Sequence, residues 1–474
     1  MATNARRVLL VARAALGFAG LVLITRAVVG PFRLLVSVQS PLTAEGVIAL
    51  ALLACLVIRA EKAVGRSADF VPHAAFAGIL ILVAACFTPA LSNYFLSDDF
   101  LVLDFCKQYA PKLPLSWALV KSNSEHIFFR PVIVLSNMLE CGWAGTEPVR
   151  WHTVDLAVHL INCAFVYFIA WSLLANRNKA AWAAAFFGIY PSNPEAVSWT
   201  GGGQDTLISA LFVLATVKIY MAWLQHRRAL LLAAALVASI LAMGSKETGF
   251  VLVFLLAVIA IHQRARLRTL IPFVGASIAM FAYRWYVIGG FGGYPGSILR
   301  LTGAIKALGV RIWAILLFPM NWSAPVDAFV IVGIAAAVLV YATLTFSRPI
   351  RRDLLMTLFW VGLCAAPAVQ TLLIGPDLLN SRQVYLSAAG FAMLLAGAVD
   401  DLPRLRRAAG TALLVFFFVA LEHNQAIRAR VSATARQICI DAAKGSKIGD
   451  PPHIIDGVWA FGNGFEQCVE LQRH

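Results

Sequence analysis

Charge is scarce in this chain: of 474 residues only 13% are Asp, Glu, Lys or Arg, against 60% hydrophobic. A water-soluble domain of that size could not cover its surface with so few charges, whereas a bundle of lipid-facing helices needs few. Acidic residues are the rarer sign, 24 against 39 basic, which leaves a formal net charge of +15. The excess does not form one basic face, as nucleic-acid binding would require, but sits in short loops between apolar runs. No glycine-rich phosphate loop, His-Glu-x-x-His motif or paired-cysteine zinc motif is present. Heptad arrays, low-complexity tracts and repeats of soluble modules are also missing. Nucleotide-cradling enzymes, zinc hydrolases and coiled-coil scaffolds are thereby set aside.

What the chain does have is apolar length. Runs of roughly 17 to 25 residues recur from Val8 to Ala420, each long enough for a hydrocarbon core ~30 Å thick. The expected class is therefore an all-α, polytopic helical membrane protein. Alternate connections carry the basic clusters: Arg59, Lys62 and Arg66; Arg177 and Lys179; Arg227 and Arg228; Arg264, Arg266 and Arg268; Arg348, Arg351 and Arg352; Arg404, Arg406 and Arg407. By the positive-inside rule these face the cytoplasm. The run from Leu301 to Pro319 contains Lys306 and Arg311, and counting it as a span would break the alternation. It is read as a membrane-dipping or surface helix on the outer side, residues 301–320. About thirteen spans result, with the N-terminus inside, a first segment opened by Arg6 and Arg7 retained as an anchor, and the C-terminus outside. Residues 1–422 then form the membrane domain, and 423–474 a short polar tail on the outer face.

The outward connections hold the residues capable of chemistry. The longest, residues 97–151, opens on Ser97-Asp98-Asp99-Phe100 directly after an apolar run. Adjacent carboxylates at a helix end can bind a divalent cation, Mg or Mn, or supply a base whose pKa is raised by its neighbour's charge. They can equally cap the helix. Farther on, His152, Asp155, His159 and Asn162 fall within an arc of roughly 80° at about 100° per residue, so one polar stripe enters the membrane. It must face protein or a water-filled cavity, either bonding helices together or lining a pocket. The segment Tyr190 to Asp205, broken by Pro191, Pro194 and Gly201-Gly202-Gly203, brings Glu195 and Asp205 to the outer ends of consecutive helices. It is either an ordinary turn or a site at which those acids converge. Arg130, Lys246 beside Glu247, Arg284 and Arg382 are cations at outer helix ends, suited to a phosphate or to lipid headgroups.

Eight cysteines divide by location. Cys55, Cys86, Cys163 and Cys364 lie in apolar segments, while Cys106, Cys141, Cys439 and Cys468 lie outside. An oxidising compartment would permit at least one disulfide among the outer four, in any of three pairings.

Taken in order, these motifs resemble the membrane portion of the transmembrane-and-tetratricopeptide-repeat O-mannosyltransferases and their bacterial relatives, within the GT-C superfamily. The matching stretches are Ser97 to Phe100, Phe129-Arg130-Pro131, Trp151 to Asn162, Pro194 to Val197, Asp205, Ser245-Lys246-Glu247, Arg284 and Arg382 to Leu386. Departures are Asp155 where such proteins tend to have Asn, Gln204 in place of Arg, Tyr190 in place of His, and Ser387 in place of Pro; tetratricopeptide repeats are absent.

The resemblance implies an inverting glycosyltransferase of a bacterial inner membrane, active on its periplasmic face. The sugar, a hexose such as mannose, would arrive on polyprenyl phosphate and pass to a hydroxyl of a protein, glycolipid or glycan. By analogy Asp98 or Asp99 is the base or metal ligand, with Glu195 and Asp205 as further catalytic acids. Arg130, Lys246, Arg284 and Arg382 would hold the donor phosphate, and His152, Asp155, His159, Glu247 and Tyr385 would line the pocket. A transporter or flippase of a lipid-linked sugar is the alternative reading, and a non-catalytic scaffold a third.

Overall fold

The apolar runs fold as helices. The computed structural model describes residues 70–108, 128–290, 307–317, 319–321, 348–369, 378–400, 406–446 and 449–473, with positions 32–33, 37–38, 292 and 303. The basic loop around Arg59, the first anchor, Lys306 and most of the long connection after Gln108 lie outside these residues.

Phe32–Arg33 (β1) and Ser37–Val38 (β2) form a short antiparallel pair, and all the long elements are helical. They are α1 (Phe70–Phe87), α2 (Asp98–Gln108), α3 (Pro131–Ala144), α4 (Pro148–Leu174), α5 (Arg177–Gly188), α6 (Thr200–His226) and α7 (Ala229–Ser245). There follow α8 (Leu252–His262), α9 (Ile271–Ile288), α10 (Ile312–Leu317), α11 (Arg348–Ala365), α12 (Tyr385–Asp400), α13 (Arg406–Ala443) and α14 (Phe465–Arg473). A small antiparallel hairpin, β3 (Ile454–Ile455) and β4 (Val458–Trp459), lies between the last two helices.

Local chemistry sets the ends. Pro131 and Pro148 open α3 and α4 at the first helical position, where a missing N–H costs nothing. Asn176 caps α5, its Oδ1 accepting from the amides of Asn178 at 2.8 Å and Lys179 at 3.2 Å. Gly289 ends α9 at φ 81°, in the left-handed region that a helix stop requires.

Six described stretches are long and apolar enough to cross a membrane: Ala75–Ser92, Pro148–Leu174, Thr200–His226, Leu267–Ile288, Ser381–Val399 and Gly410–Ala443. Four shorter apolar helices accompany them, including Ala307–Leu317 within the stretch read as membrane-dipping. The fold is thus an all-α polytopic membrane protein; the expected count of about thirteen spans also draws on residues outside those described.

Burial separates centre from periphery. The Ser381–Val399 span is 72% buried within the protein and Leu267–Ile288 only 17%, so α12 runs through the bundle and α9 along its edge. On α9, Ile271, Ile278 and Tyr286 are two-thirds exposed, a side chain set suited to lipid. The core is built where α6 packs on α4 and α7, and α12 on α5 and α11.

The change to polar composition near Leu421 falls inside one continuous helix. α13 has 38 residues, a length of about 57 Å at 1.5 Å per residue, well beyond a hydrocarbon core of ~30 Å. Its second half therefore stands clear of that core, carrying the final segment with it. Among the described residues two disulfides join helices: Cys106–Cys141 ties α2 to α3, and Cys439–Cys468 ties α13 to α14. The structure thereby selects one of the three pairings left open by the sequence.

Candidate active site

The acidic turn Ser97-Asp98-Asp99 begins α2, where carboxylates complement the positive end of the helix dipole. The two neighbours have different fates. Asp99 is buried, and both of its oxygens are taken by amides: Oδ2 accepts from Leu96 N at 2.8 Å and Oδ1 from Gly201 N at 2.5 Å. Burial pushes its pKa up to about 7, against the lowering effect of those amides, with Asp98 raising it further. Asp98 is half-buried, accepts a 3.4 Å bond from Ser97 Oγ, and lies within the field of Arg382, Arg130 and Asp205. Its pKa is also raised, burial outweighing the attraction of the arginines.

Gly201 explains why the triple glycine sits where it does. A Cβ there would stand 2.5 Å from the carbonyl carbon of Asp98 and 2.6 Å from the amide nitrogen of Asp99. Only glycine lets the first turn of α6 press against the acidic turn and donate its amide to Asp99.

Each Asp99 oxygen accepts one backbone amide, and among the described residues no group of three or more His, Cys, Asp or Glu is placed to hold an ion.

Facing Asp98 is a knot of charge where the starts of α3 and α6 meet the ends of α7 and α9. Arg130 Nη1 meets Asp205 Oδ2 at 2.6 Å, and its Nη2 meets Glu247 Oε2 at 2.7 Å. Lys246 Nζ lies 3.0 Å from Asp205 Oδ1 and donates to Thr206 Oγ1 at 2.5 Å. Arg284 Nη2 approaches Glu247 Oε1 at 3.7 Å. Among the described residues, three cations here meet two carboxylates. Burial lowers the Lys246 pKa to about 8, opposed by Asp205 and aided by Arg130 and Arg382.

Glu195 sits against the turn at residues 380–382. Its Oε1 accepts from Asn380 N at 3.0 Å and Arg382 Nη1 at 3.1 Å, and its Oε2 from Arg382 N at 2.8 Å and Ser381 Oγ at 3.2 Å. With four donors on two oxygens it anchors the 380–382 turn. Its service is to Arg382, whose guanidinium stacks over the Trp199 ring at 4.4 Å while its Nε has no partner.

The polar stripe of α4 faces protein. His159 accepts at Nδ1 from the Tyr385 hydroxyl at 2.7 Å, because its Nε2 lies 2.9 Å from the Gly188 carbonyl and must carry the hydrogen there. Asn162 donates to Leu207 O and to Tyr385 Oη. Thr200 Oγ1 donates to Asp155 Oδ2 at 2.8 Å, and His152 Nε2 bonds the Asn93 carbonyl at 3.2 Å. These bonds join α4 to α5, α6 and α12, so His152, Asp155, His159 and Tyr385 are brought together as a joint between helices. Glu247, grouped with them from the sequence, sits instead in the charged knot.

Sequence reasoning missed three participants. Arg428, on the outer half of α13, is buried and donates from Nε to Ser198 Oγ at 3.1 Å; its field reaches Glu195 and Asp99, and its Nη2 has no partner. Glu140 accepts two bonds from the Gln204 amide, at 2.9 and 2.8 Å. Asn380 receives Arg382 Nη1 at 2.8 Å. Only the acid–amide pairing had a signal, since Gln204 stands where the resembling proteins carry Arg.

With the geometry in place, comparison with known proteins becomes informative. Over 177 residues, 34% of this chain, the sequence is 28% identical to Protein O-mannosyl-transferase TMTC1 of Mus musculus. Its curated relatives are protein O-mannosyl-transferases. Tmtc1 of Drosophila melanogaster is 32% identical over 108 residues, 23% of this chain. The matched region spans 19% of the mouse protein and 12% of the fly protein. No family model matches the chain. Among solved structures, the apo oligosaccharyltransferase of Archaeoglobus fulgidus covers 84% of this chain and is itself covered over 64%, at 12% identity and a TM-score of 0.47. The same archaeal enzyme, AglB, in complex with an inhibitory peptide and a dolichol-phosphate aligns with a TM-score of 0.48 at 13% identity.

Proposed function

We propose that the protein is an inverting glycosyltransferase that moves a hexose from a polyprenyl-phosphate donor to an acceptor hydroxyl on the periplasmic face of a bacterial inner membrane. The observation that carries this reading is the pairing of one half-buried carboxylate, Asp98, with a knot of cations, Arg130, Lys246 and Arg284, held by Asp205 and Glu247. A lipid-phosphate donor needs both halves.

In this reading Asp98 takes the proton from the acceptor hydroxyl as its oxygen bonds to the anomeric carbon on the face opposite the phosphate. The bond from that carbon to the phosphate oxygen breaks, and polyprenyl phosphate leaves with the electron pair. Arg130, Lys246 and Arg382 stabilise the charge developing on the leaving phosphate. Asp205 and Glu247 hold those cations in place, while Asp99, locked by two amides, fixes the turn that aims Asp98. The loop asymmetry of Lys and Arg supports an outward site, with the N-terminus cytoplasmic and the C-terminus periplasmic. The relatives' activity as protein O-mannosyl-transferases supports mannose as the sugar and a protein as the acceptor.

The test is sugar release and transfer by purified protein supplied with polyprenyl-phosphate mannose. The unaltered chain should turn the donor over and Asp98→Asn should not. Near-normal turnover by that variant would remove Asp98 as the base.

A further inference from the structure

The segment after α13 does not trail into solvent. It returns across the acidic turn and is held on both sides of it. On one side, Ser97 N donates to Ala460 O at 2.8 Å, and Gln472 Nε2 bonds Tyr94 Oη. On the other, Trp459 Nε1 donates to Asn380 Oδ1 at 3.2 Å and Asn321 Nδ2 to Asp456 O at 2.8 Å. A hairpin turn at Asp456 and Gly457 and the Cys439–Cys468 disulfide hold this strap in shape. The apolar core beneath it includes Phe95, Phe100, Trp199, Val458 and Phe461, so the strap and the acidic turn share one packing unit.

The strap passes directly over the proposed base. Gly462 has φ 48°, and a Cβ on it would lie 2.5 Å from Ser97 Oγ and 3.6 Å from Asp98 Oδ1. Any larger residue would push into the space that a hydroxyl must enter to reach Asp98. The other tethers, through Asn380 and Asn321, end beside Arg382 and Glu195. One short segment therefore bridges the carboxylate side of the site and the cation side.

We infer that residues 456–464 form the acceptor-side wall of the site, a stapled strap that restricts water at Asp98 and sets the approach of the acceptor hydroxyl. The inference rests on the reading of Asp98 as the base of glycosyl transfer. Water can replace the acceptor in that chemistry: its oxygen bonds to the anomeric carbon, the bond to phosphate breaks, and the proton passes to Asp98 and then to solvent. A wall that limits water suppresses this hydrolysis, whereas a segment that only stabilised the fold would, when loosened, lower every rate together.

The experiment compares donor hydrolysis in the unaltered full chain, in Cys439→Ser/Cys468→Ser, and in Asn321→Ala, each as monodisperse detergent-purified protein with polyprenyl-phosphate mannose and no acceptor. The expected result is a rise in hydrolysis of threefold or more when either tether is released. Asn321→Ala keeps the disulfide and so stands in where the double serine variant fails to fold. Hydrolysis that falls or stays level in the folded variants overturns the strap as a wall while leaving the transferase reading intact. Absence of any donor turnover in the unaltered chain overturns that reading and the strap with it.

Discussion

Two polar clusters occupy this helical bundle, one around His159 and one around Lys246. At His159 an imidazole, a tyrosine hydroxyl and an amide share neutral hydrogen bonds with almost no exposure, and each bond joins two helices. At Lys246 the partners are ions, and the neighbouring Arg130 and Glu247 side chains remain 24% and 28% exposed. Neutral groups can be sealed with most of their polar atoms bonded, although Asn162 Oδ1 keeps no partner. Partly exposed ions near a membrane surface can be completed by solvent or by an anionic ligand. The His159 cluster thus reads as a joint and the Lys246 cluster as a site.

Asp98→Asn probes the distinction most severely. The amide keeps the shape but cannot accept the hydroxyl proton, so turnover should fall ~10²- to 10⁴-fold with insertion intact. A loss below tenfold, measured by sugar release from the lipid donor, would show that the charged cluster organises structure as the His159 cluster does.

Asp99→Asn should act through stability instead. One face of the new amide presents N–H groups to a backbone N–H, leaving a buried donor unsatisfied at a cost of about 1 to 3 kcal/mol. The pH dependence separates this from a catalytic role. The folded-state pKa is raised to about 7, so between an unfolded value of ~3.9 and that point the folded chain holds the extra proton. Its contribution to stability is therefore full below ~4 and is lost as pH rises through about 7. Thermal unfolding in detergent from pH 4 to 8 should show this slope, flattened in the variant; an unchanged slope would mean that Asp99 is not the titrating group.

Much of this contrast was legible in the residues, and the part that was not has a physical cause. The apolar runs, the loop charges and the order of the motifs pointed to the bundle and to one functional end, and Asp98, Arg130, Asp205, Lys246, Arg284 and Arg382 do meet there. Which of Asp98 and Asp99 faces the cations was hidden, because adjacent helical residues point about 100° apart and the helix phase is set by packing on Gly201. Glu195 looked like Asp205 in the sequence, yet the turn at Asn380 to Arg382, almost two hundred residues away, consumes its oxygens. Arg428 and the strap were missed because a polar stretch after the last apolar run reads as a solvated tail; only the fold brings it back.

Lys246 sharpens the charged side of the comparison. Lys246→Met should weaken donor use about tenfold in kcat/KM, the low end for a bond to a charged group, because Arg130 and Arg382 share the phosphate. In the unaltered enzyme kcat/KM should decline above about pH 8 as the lysine loses its proton. Lys246→Arg should move that decline upward, since guanidinium keeps its charge. A profile with no alkaline limb would detach Lys246 from the phosphate.

The smallest effect belongs to the neutral cluster. Tyr385→Phe removes the hydroxyl that donates to His159 Nδ1 and accepts from Asn162 Nδ2 while keeping the ring that packs against Phe187. The imidazole remains bonded to Gly188 and the amide to Leu207, so each side chain keeps one bond while His159 Nδ1 loses its donor. The cost should be about 1 kcal/mol of stability, in the range measured for single bonds between membrane helices. Melting in detergent should shift slightly downward, with donor turnover within twofold of the unaltered protein. A tenfold loss of turnover at unchanged melting would place the hydroxyl against substrate. The stripe on α4 would then line the pocket, and neutrality would no longer distinguish a joint from a site.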